Sequence, residues 1–286
     1  MTHKIAFIAI ALLAGLSAPF APASAEPAPA HPPLVVCYPG GPVNENDANA
    51  AMASMLRVVE RVGRWPANSL SSLFTAKAAE CRKLLEEKKP GFMIVSLGLY
   101  LEQRARHNLV PLVQPRIKGA TSERYRVVVQ QGKYPTLEEL KGKALGGTVL
   151  EEPDFIGKIV FAGKYQPASF FDLKPSRQAI RALRSLDSGE LDAAILNEQQ
   201  FAGLASLHMK SPVEAVFTSE EIPLMGMVAD TKATTAEDRA RFAQALTGMC
   251  ADPEGKKLCD LFGVDAFVPA EQSRIAPMIE LWDKGK

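Results

Sequence analysis

The stretch from Leu145 to Lys158, LGGTVLEEPDFIGK, places a glycine pair and three acidic residues where a predicted strand gives way to a helix. Free backbone N–H groups at a helix N-terminus attract phosphate or carboxylate, so this layout can form an anion site. Glu151, Glu152 and Asp154 stand where the anion would dock. They either face water as first-turn acids that favour the helix dipole, or one of them enters a cleft and binds a cationic or hydroxylated ligand.

The proline in this stretch helps to locate the start of the helix. Pro153 suits the first turn of a helix, which makes Glu152 a cap-region residue. Its carboxylate can accept backbone N–H bonds that an anion would otherwise use. Carboxylates beside a doubly charged phosphonate would also repel it. We therefore predict that the stretch shapes a cleft but is not a phosphate cradle.

Four further polar residues follow predicted strands or connect the two halves of the chain. Tyr38 ends the run PLVVCY and either stacks on a ligand or belongs to a turn. Ser96 ends FMIVS and either caps a helix or offers its hydroxyl to an anion. Asn197 ends LDAAILN, and Ser219 lies in a segment predicted to cross between the halves. Because ligands bind at the carboxyl ends of strands in open α/β sheets, these four are candidate ligand-binding residues.

Signatures of catalysis are missing from the sequence. It contains no G-x-S-x-G motif, no G-x-x-x-x-G-K-[ST] phosphate loop and no Cys-x-x-Cys pair. Of the four histidines, His107 and His208 alone lie in the predicted folded part. We expect no catalytic residue, no metal site and no cofactor. An enzyme built on the same architecture stays an alternative, because a fold does not decide a function.

Composition and the N-terminus indicate an exported protein. The net charge of +1 over 286 residues argues against a basic nucleic-acid surface, and 47% hydrophobic residues suffice for a core. Lys4, the apolar run Ile5–Leu16 and Ala23-Ser24-Ala25 have the pattern of a signal peptide. The run is shorter than the roughly 20 residues that a membrane-spanning helix needs. We expect a signal peptide over residues 1–25, a disordered leader over 26–33 and no membrane span in the mature chain.

Four cysteines, an even number, favour disulfides in an exported protein. Cys250 and Cys259 flank ADPEGKKL, a turn-forming stretch between two helical segments, and are the favoured pair. Cys37 and Cys81 pair by elimination. Buried free thiols stay an alternative, because cysteine also packs as a small hydrophobic residue.

The predicted elements alternate between strand and helix in two similar halves. ENDANAAMASMLRVVERVG has apolar residues three and four apart, which indicates an amphipathic helix, and short apolar runs such as FMIVSL and LDAAILN indicate buried strands. The fold class is therefore α/β, in two lobes that each hold a mostly parallel sheet flanked by helices. We expect crossings near IKGATSERYR and FTSEEIPLMG, with residues 34–121 and 220–286 in one lobe and 122–219 in the other.

Several phrases, in this order, resemble the phosphate/phosphite/phosphonate-type periplasmic solute-binding proteins of ABC importers: YPTLEELKGKALGGTV, AIRALRSLDSGELDAAILNEQQFAGL, VFTSEEIPLMGMVAD and RFAQALTGMCADPEGKKLCDLFGVDAF. The resemblance implies a type 2 periplasmic binding protein fold, with two crossing strands as hinge and a small ligand between the lobes. It also implies a periplasmic monomer that delivers its ligand to a membrane permease. A module that feeds a sensor or a redox system stays an alternative.

The sequence departs from that family at the opening stretch. Relatives commonly carry hydroxyl-bearing residues at this helix start, which cradle the phosphonate group. This chain offers Leu150, Glu151, Glu152 and Pro153 instead. The resemblance therefore implies a transport protein but does not carry over the phosphonate ligand.

The Ala-x-Ala pattern predicts cleavage after Ala25. Protein isolated from the periplasm should therefore have the mass of a chain that begins at Glu26. Intact-mass spectrometry tests this, with the cytoplasmic precursor as the reference. A periplasmic protein that keeps its first 25 residues would contradict the prediction.

Overall fold

The computed structural model describes residues 33–39 and 44–284. The predicted signal peptide and residues 26–32 of the predicted leader lie outside this part. No helix within the described ranges is long and apolar enough to cross a membrane.

Thirteen strands are present in the described ranges: β1 (Leu34–Cys37), β2 (Ser72–Thr75), β3 (Phe92–Ile94), β4 (Leu109–Arg116), β5 (Ser122–Glu123), β6 (Arg126–Gln130), β7 (Ala144–Gly147), β8 (Asp172–Pro175), β9 (Ala193–Leu196), β10 (Val213–Thr218), β11 (Ile222–Pro223), β12 (Met227–Asp230) and β13 (Ala266–Pro269). The same ranges contain ten α-helices: α1 (Glu45–Gly63), α2 (Ala78–Lys88), α3 (Leu97–Gln103), α4 (Pro153–Phe155), α5 (Pro167–Phe170), α6 (Ala179–Ser188), α7 (Glu198–Gly203), α8 (Ala236–Met249), α9 (Pro253–Phe262) and α10 (Gln272–Lys284). A π-helical turn, Ile156–Val160, continues α4.

These strands form one sheet in each lobe and a small sheet between them. The first lobe has the order β13-β4-β12-β3-β1-β2, and the second has β10-β6-β9-β7-β8. β5 and β11 form a separate antiparallel pair on the two segments that connect the lobes. The two-lobed α/β architecture is thus the one predicted. The exact lobe boundaries, after residues 121 and 219, stay a prediction.

The expectation of mostly parallel sheets needs a correction, because both sheets are mixed. β1 is parallel to β2 and β3, and β7 is parallel to β8 and β9. In contrast, β12 is antiparallel to both its neighbours, and so is β6. Each of these two strands enters its lobe from a connecting segment and therefore runs against the strands that lead toward the cleft.

Helix α1 shows how the sequence sets the local structure. Its apolar residues recur at three and four positions, and Met55, Leu56 and Val59 are fully buried. The side chain of Asn44 accepts hydrogen bonds from two backbone N–H groups of the first turn. Arg64 ends the helix in the left-handed conformation. The helix spans the residues that the periodicity predicts.

The two connecting segments are tied together at Ser219. Its hydroxyl accepts a hydrogen bond from the backbone N–H of Tyr125 at 2.9 Å and donates one to the carbonyl of Glu220 at 2.7 Å. Its own backbone N–H donates to the carbonyl of Tyr125 at 2.9 Å. Buried polar groups need such partners. Ser219 therefore holds the connecting strands in register.

One continuous apolar cluster joins the two lobes. It contains Val35 and Leu99 from the first lobe and Val127 and Ile195 from the second. Separate clusters lie on the outer faces, under α1 and α8 in the first lobe and under α6 in the second. The shared cluster also includes helix residues, such as Leu85 of α2 and Trp282 of α10.

Two disulfides are present, with the pairing that the sequence analysis favours. Cys250 pairs with Cys259 and Cys37 with Cys81, at Cα–Cα separations of 5.8 and 5.7 Å. The second bridge fastens the end of β1 to α2. It therefore fixes the relative positions of the residues that follow its cysteines, Tyr38 and Arg82.

The two disulfides should differ in their contribution to stability, because they close loops of different length. The entropic model gives about 4 kcal/mol for the 44-residue separation of Cys37–Cys81 and about 3 kcal/mol for the nine-residue separation of Cys250–Cys259. Urea unfolding of the two double Cys→Ala variants measures both losses. An unchanged free energy of unfolding in either variant would contradict the prediction for that bridge.

Candidate functional site

Glu152 makes a direct hydrogen bond to the opposite lobe. Its Oε1 accepts a hydrogen bond from Ser96 Oγ at 2.8 Å. Ser96 is the N-cap of α3, where its hydroxyl also accepts from the backbone N–H of Leu99 at 3.2 Å. The same N–H is directed at the Glu152 carboxylate. Glu152 thus occupies the start of α3, a position favourable to negative charge.

Glycine at position 98 permits this approach. A Cβ there would lie 2.3 Å from Glu152 Oε1 and 2.8 Å from the Cβ of Phe155. Either distance is too short for two non-bonded atoms. The close packing of α4 on α3 therefore requires the missing side chain of Gly98.

Burial raises the pKa of Glu152 from 4.5 to about 7. The Ser96 hydrogen bond and the charge of Arg82 oppose this rise, whereas the charge of Glu102 adds to it. Arg82 is engaged elsewhere, since its guanidinium donates two hydrogen bonds to Glu102 at 2.7 and 2.8 Å. Glu152 thus lacks a full counter-ion, so that desolvation sets its pKa.

A second carboxylate, Glu123 on β5, occupies a similar position in the other lobe. It accepts a hydrogen bond from the Tyr125 hydroxyl at 2.9 Å. The backbone N–H of Glu198, the first residue of α7, is directed at it. Burial raises the pKa of Glu123 to about 7. The same burial, together with the charge of Glu123, raises the pKa of Tyr125 well above its ordinary value.

Tyr38 lies near this pair, at the end of β1. The side chain is 50% exposed, yet burial raises its pKa and the charge of Glu123 raises it further. A side chain on the wall of a cleft has both properties, because solvent reaches it from one side while protein surrounds the rest. Tyr38 and Glu123 therefore place groups from the first lobe and from a connecting strand in one region.

Asn197 is used within the protein as a cap. Its side chain accepts a hydrogen bond from the backbone N–H of Gln200, and the Gln200 side chain accepts one from the backbone N–H of Asn197. Gln200 also donates to the hydroxyl of Thr148 at 2.9 Å. The start of α7 is thus linked to the turn that follows β7, close to the acidic stretch.

Among the sequence-predicted candidates, the structure joins Ser96 and Glu152 and places Tyr38 near Glu123. Ser219 lies between the lobes with its hydroxyl fully used, so the geometry lends no support to a role in ligand binding. Glu151 is half-buried, and no hydrogen bond or ion pair involves its side chain within the described chain. All six ligand-binding assignments stay predictions.

Sequence reasoning missed Glu123 and Tyr125. Glu123 belongs to a two-residue strand that carries no periodic signal, and Tyr125 follows that strand by two residues. The one indication of their role in the sequence is that both lie in IKGATSERYR, a stretch predicted to cross between the lobes.

The charged and hydrogen-bonding groups of the site suit the binding of a small polar molecule. Within residues 33–39 and 44–284, no group of three or more His, Cys, Asp or Glu side chains could hold a metal ion. Two half-buried carboxylates, Glu123 and Glu152, each at the start of a helix, disfavour an anion and favour hydrogen-bond donors or positive charge. Tyr38, which is 50% exposed, adds flat apolar surface with a polar tip.

A family model described as "ABC transporter, phosphonate, periplasmic substrate-binding protein" matches residues 69–275. No curated protein sequence matches the chain. A Xanthomonas citri protein solved with ATP is 12% identical, with a TM-score of 0.68 over 89% of this chain and 98% of its own. A binding-protein component of an ABC phosphonate transporter from Pseudomonas aeruginosa is 14% identical, with a TM-score of 0.67 over 88% of this chain and 85% of its own. A Prochlorococcus marinus protein solved with methylphosphonate is 13% identical, with a TM-score of 0.63 over 88% and 98%. The likeness to these structures shows the type 2 periplasmic binding protein fold.

The raised pKa values predict that stability falls as pH rises. Glu123 and Glu152 have folded-state pKa values of about 7, above the ordinary 4.5. Between these values the folded chain binds more protons than the unfolded chain, so the free energy of unfolding decreases with increasing pH. Because glutamine does not titrate, the Glu152→Gln variant should show a shallower decrease.

Urea unfolding at intervals from about pH 5 to about pH 8 measures this slope. Glu151→Gln is the matched control and should keep the wild-type slope. Equal slopes in the wild type and in Glu152→Gln would contradict the prediction.

Proposed function

Because the chain belongs to the family of phosphonate-type periplasmic substrate-binding proteins of ABC transporters, we propose that it captures a small solute between its lobes and delivers it to a membrane permease. The observation that supports this most directly is that groups from both lobes meet between them, Ser96 from one and Glu152 from the other. Capture without chemical conversion is the role of the family.

The hinge supports a mechanism of closure on the solute. The lobes are connected through two short segments, on which β5 and β11 pair. A solute contacted by both lobes stabilises the closed form by the difference between its affinities for the closed and the open form. Closure also excludes water, which strengthens each polar contact. The closed form is then the one that a permease would recognise.

The site's charges indicate the class of solute. Glu152 accepts from the start of α3, and Glu123 accepts from the start of α7. A phosphonate dianion would have to displace these carboxylates from the helix starts, or lie beside them at the cost of repulsion by their ionised form or of proton uptake, since their pKa values are about 7. We therefore propose a neutral or cationic solute that donates hydrogen bonds, such as an amine or a polyol.

Export supports the periplasm as the place of action. The signal-peptide pattern and the two disulfides both suit an oxidising compartment outside the cytoplasm. We expect a monomer that contacts the permease through its outer surface.

A thermal-shift screen tests both the capture and the class of solute. Amines, polyols, methylphosphonate, phosphite and phosphate are added to the wild type and to Glu152→Ala. An amine or polyol that binds should raise the unfolding free energy by about 2.7 kcal/mol at a hundredfold excess over Kd. Methylphosphonate should leave the wild type unchanged, because the carboxylates repel it.

In Glu152→Ala the affinity for methylphosphonate should rise at least about tenfold, since one repelling charge is removed. Glu139→Ala, at an exposed carboxylate outside the candidate site, serves as the matched control and should respond as the wild type does. Micromolar binding of methylphosphonate to the wild type would overturn the proposed class of solute. Turnover of the bound solute at an enzyme-like rate would overturn the proposed function.

A further inference from the structure

The hydrogen bond between Ser96 and Glu152 joins the two lobes directly. The two residues are 56 positions apart, and their 2.8 Å separation is an ordinary distance for an O–H···O hydrogen bond. We propose that Glu152 is an intramolecular latch, which holds the lobes closed by occupying the start of α3 and which an entering solute must displace. This inference rests on the proposed function, since it concerns the opening of the same cleft.

Phe155, the last residue of α4, helps to hold Glu152 at the start of α3. Phe155 is 5% exposed and its ring meets that of Tyr125 edge-on, with 5.6 Å between the ring centroids. Its Cβ lies against Gly98 on α3. A carboxylate three residues before a buried anchor has little freedom to turn away, so its position at the start of α3 is built into the packing.

The same segment contacts the first lobe again at its other end. The ammonium of Lys158 lies 4.6 Å from the centroid of the Trp282 ring on α10. Ile159 and Trp282 are both buried in the apolar cluster that joins the lobes. Residues 152–160 thus dock on α3 at one end and on α10 at the other. Glu152 is the polar end of this docking segment.

Within residues 152–160, the hydrogen bond of Glu152 is the contact between the lobes that can be broken at low cost, because its partner can be exchanged. An apolar contact between lobes has no alternative partner in an aqueous cleft, but a carboxylate can exchange Ser96 for water or for a solute donor. Opening then replaces one set of hydrogen bonds by another, at a modest net cost. The net binding free energy of a solute is therefore the free energy of its own contacts minus that of the Ser96–Glu152 hydrogen bond that it replaces.

The test measures the shape of the mature chain by small-angle X-ray scattering with no solute added. Loss of a hydrogen bond to a charged group should raise the ratio of open to closed molecules on the order of tenfold. Glu152→Ala should therefore increase the radius of gyration, and the neighbouring Glu151→Ala should leave it unchanged. Identical scattering of Glu152→Ala and the wild type would overturn the proposal.

A matched pair at position 96 examines the other side of the bond. Ser96→Asn and Ser96→Asp both supply a good N-cap for α3, so helix stability is held constant. Asparagine can still donate to Glu152, whereas aspartate lacks a donor and repels the carboxylate. We expect the asparagine variant to stay closed and the aspartate variant to open. Equal radii of gyration in these two variants would also overturn the latch.

Two controls distinguish opening of the lobes from unfolding of a variant, and a failed latch from failed solute capture. Circular dichroism confirms that each variant is folded, and the asparagine–aspartate comparison stays informative if Glu152→Ala does not fold. Because scattering is recorded without solute, a failed latch leaves the proposed solute capture untouched. Conversely, failure to find a solute in the thermal-shift screen does not change the expected scattering.

Discussion

The arrangement of the two lobes depends on one constraint, which is that a carboxylate removed from water must find donors. An unpaired buried charge costs several kcal/mol. For Glu152, the donors are the hydroxyl of Ser96 and the backbone N–H at the start of α3, both on the opposite lobe. In the proposed opening of the lobes, water would have to replace these donors. Opening would thus be coupled to the hydrogen bonding of this single residue.

Much of the fold follows from local patterns in the sequence. The spacing of apolar residues in α1, together with its capping residues, determines where that helix begins and ends. Short apolar runs such as β9, buried at every position, are recognisable as strands. What local patterns do not reveal is strand direction. β6 and β12 run against their neighbours because each enters its lobe from a connecting segment, and direction after a crossing is a property of the whole path of the chain.

The candidate site shows the same limit. Sequence reasoning predicts that Glu152 accepts backbone N–H bonds at the start of its own helix. The donors are instead the Ser96 hydroxyl and the Leu99 backbone N–H, at the start of α3 in the other lobe. Helix starts can be identified from sequence, but their partners in space cannot. Glu123 was missed because a two-residue strand has no periodicity. Ser219 was predicted to bind the ligand, but its hydroxyl accepts a hydrogen bond that holds the connecting strands together. Residues in the connecting segments are thus those for which sequence alone says least.

Membership in a family does not settle the solute, because a handful of side chains selects it. The relatives of known structure share the fold at 12–14% identity, a level at which the lining of a cleft is free to differ. In this chain a helix start in each lobe, that of α3 and that of α7, faces a carboxylate, contributed by Glu152 and by Glu123. A dianion would have to compete with both carboxylates for the same N–H groups and would meet their charge as well. A solute that donates hydrogen bonds meets two acceptors already oriented by those helix starts. In the proposed function, the same two carboxylates would thus disfavour a dianion and hold a solute that donates hydrogen bonds.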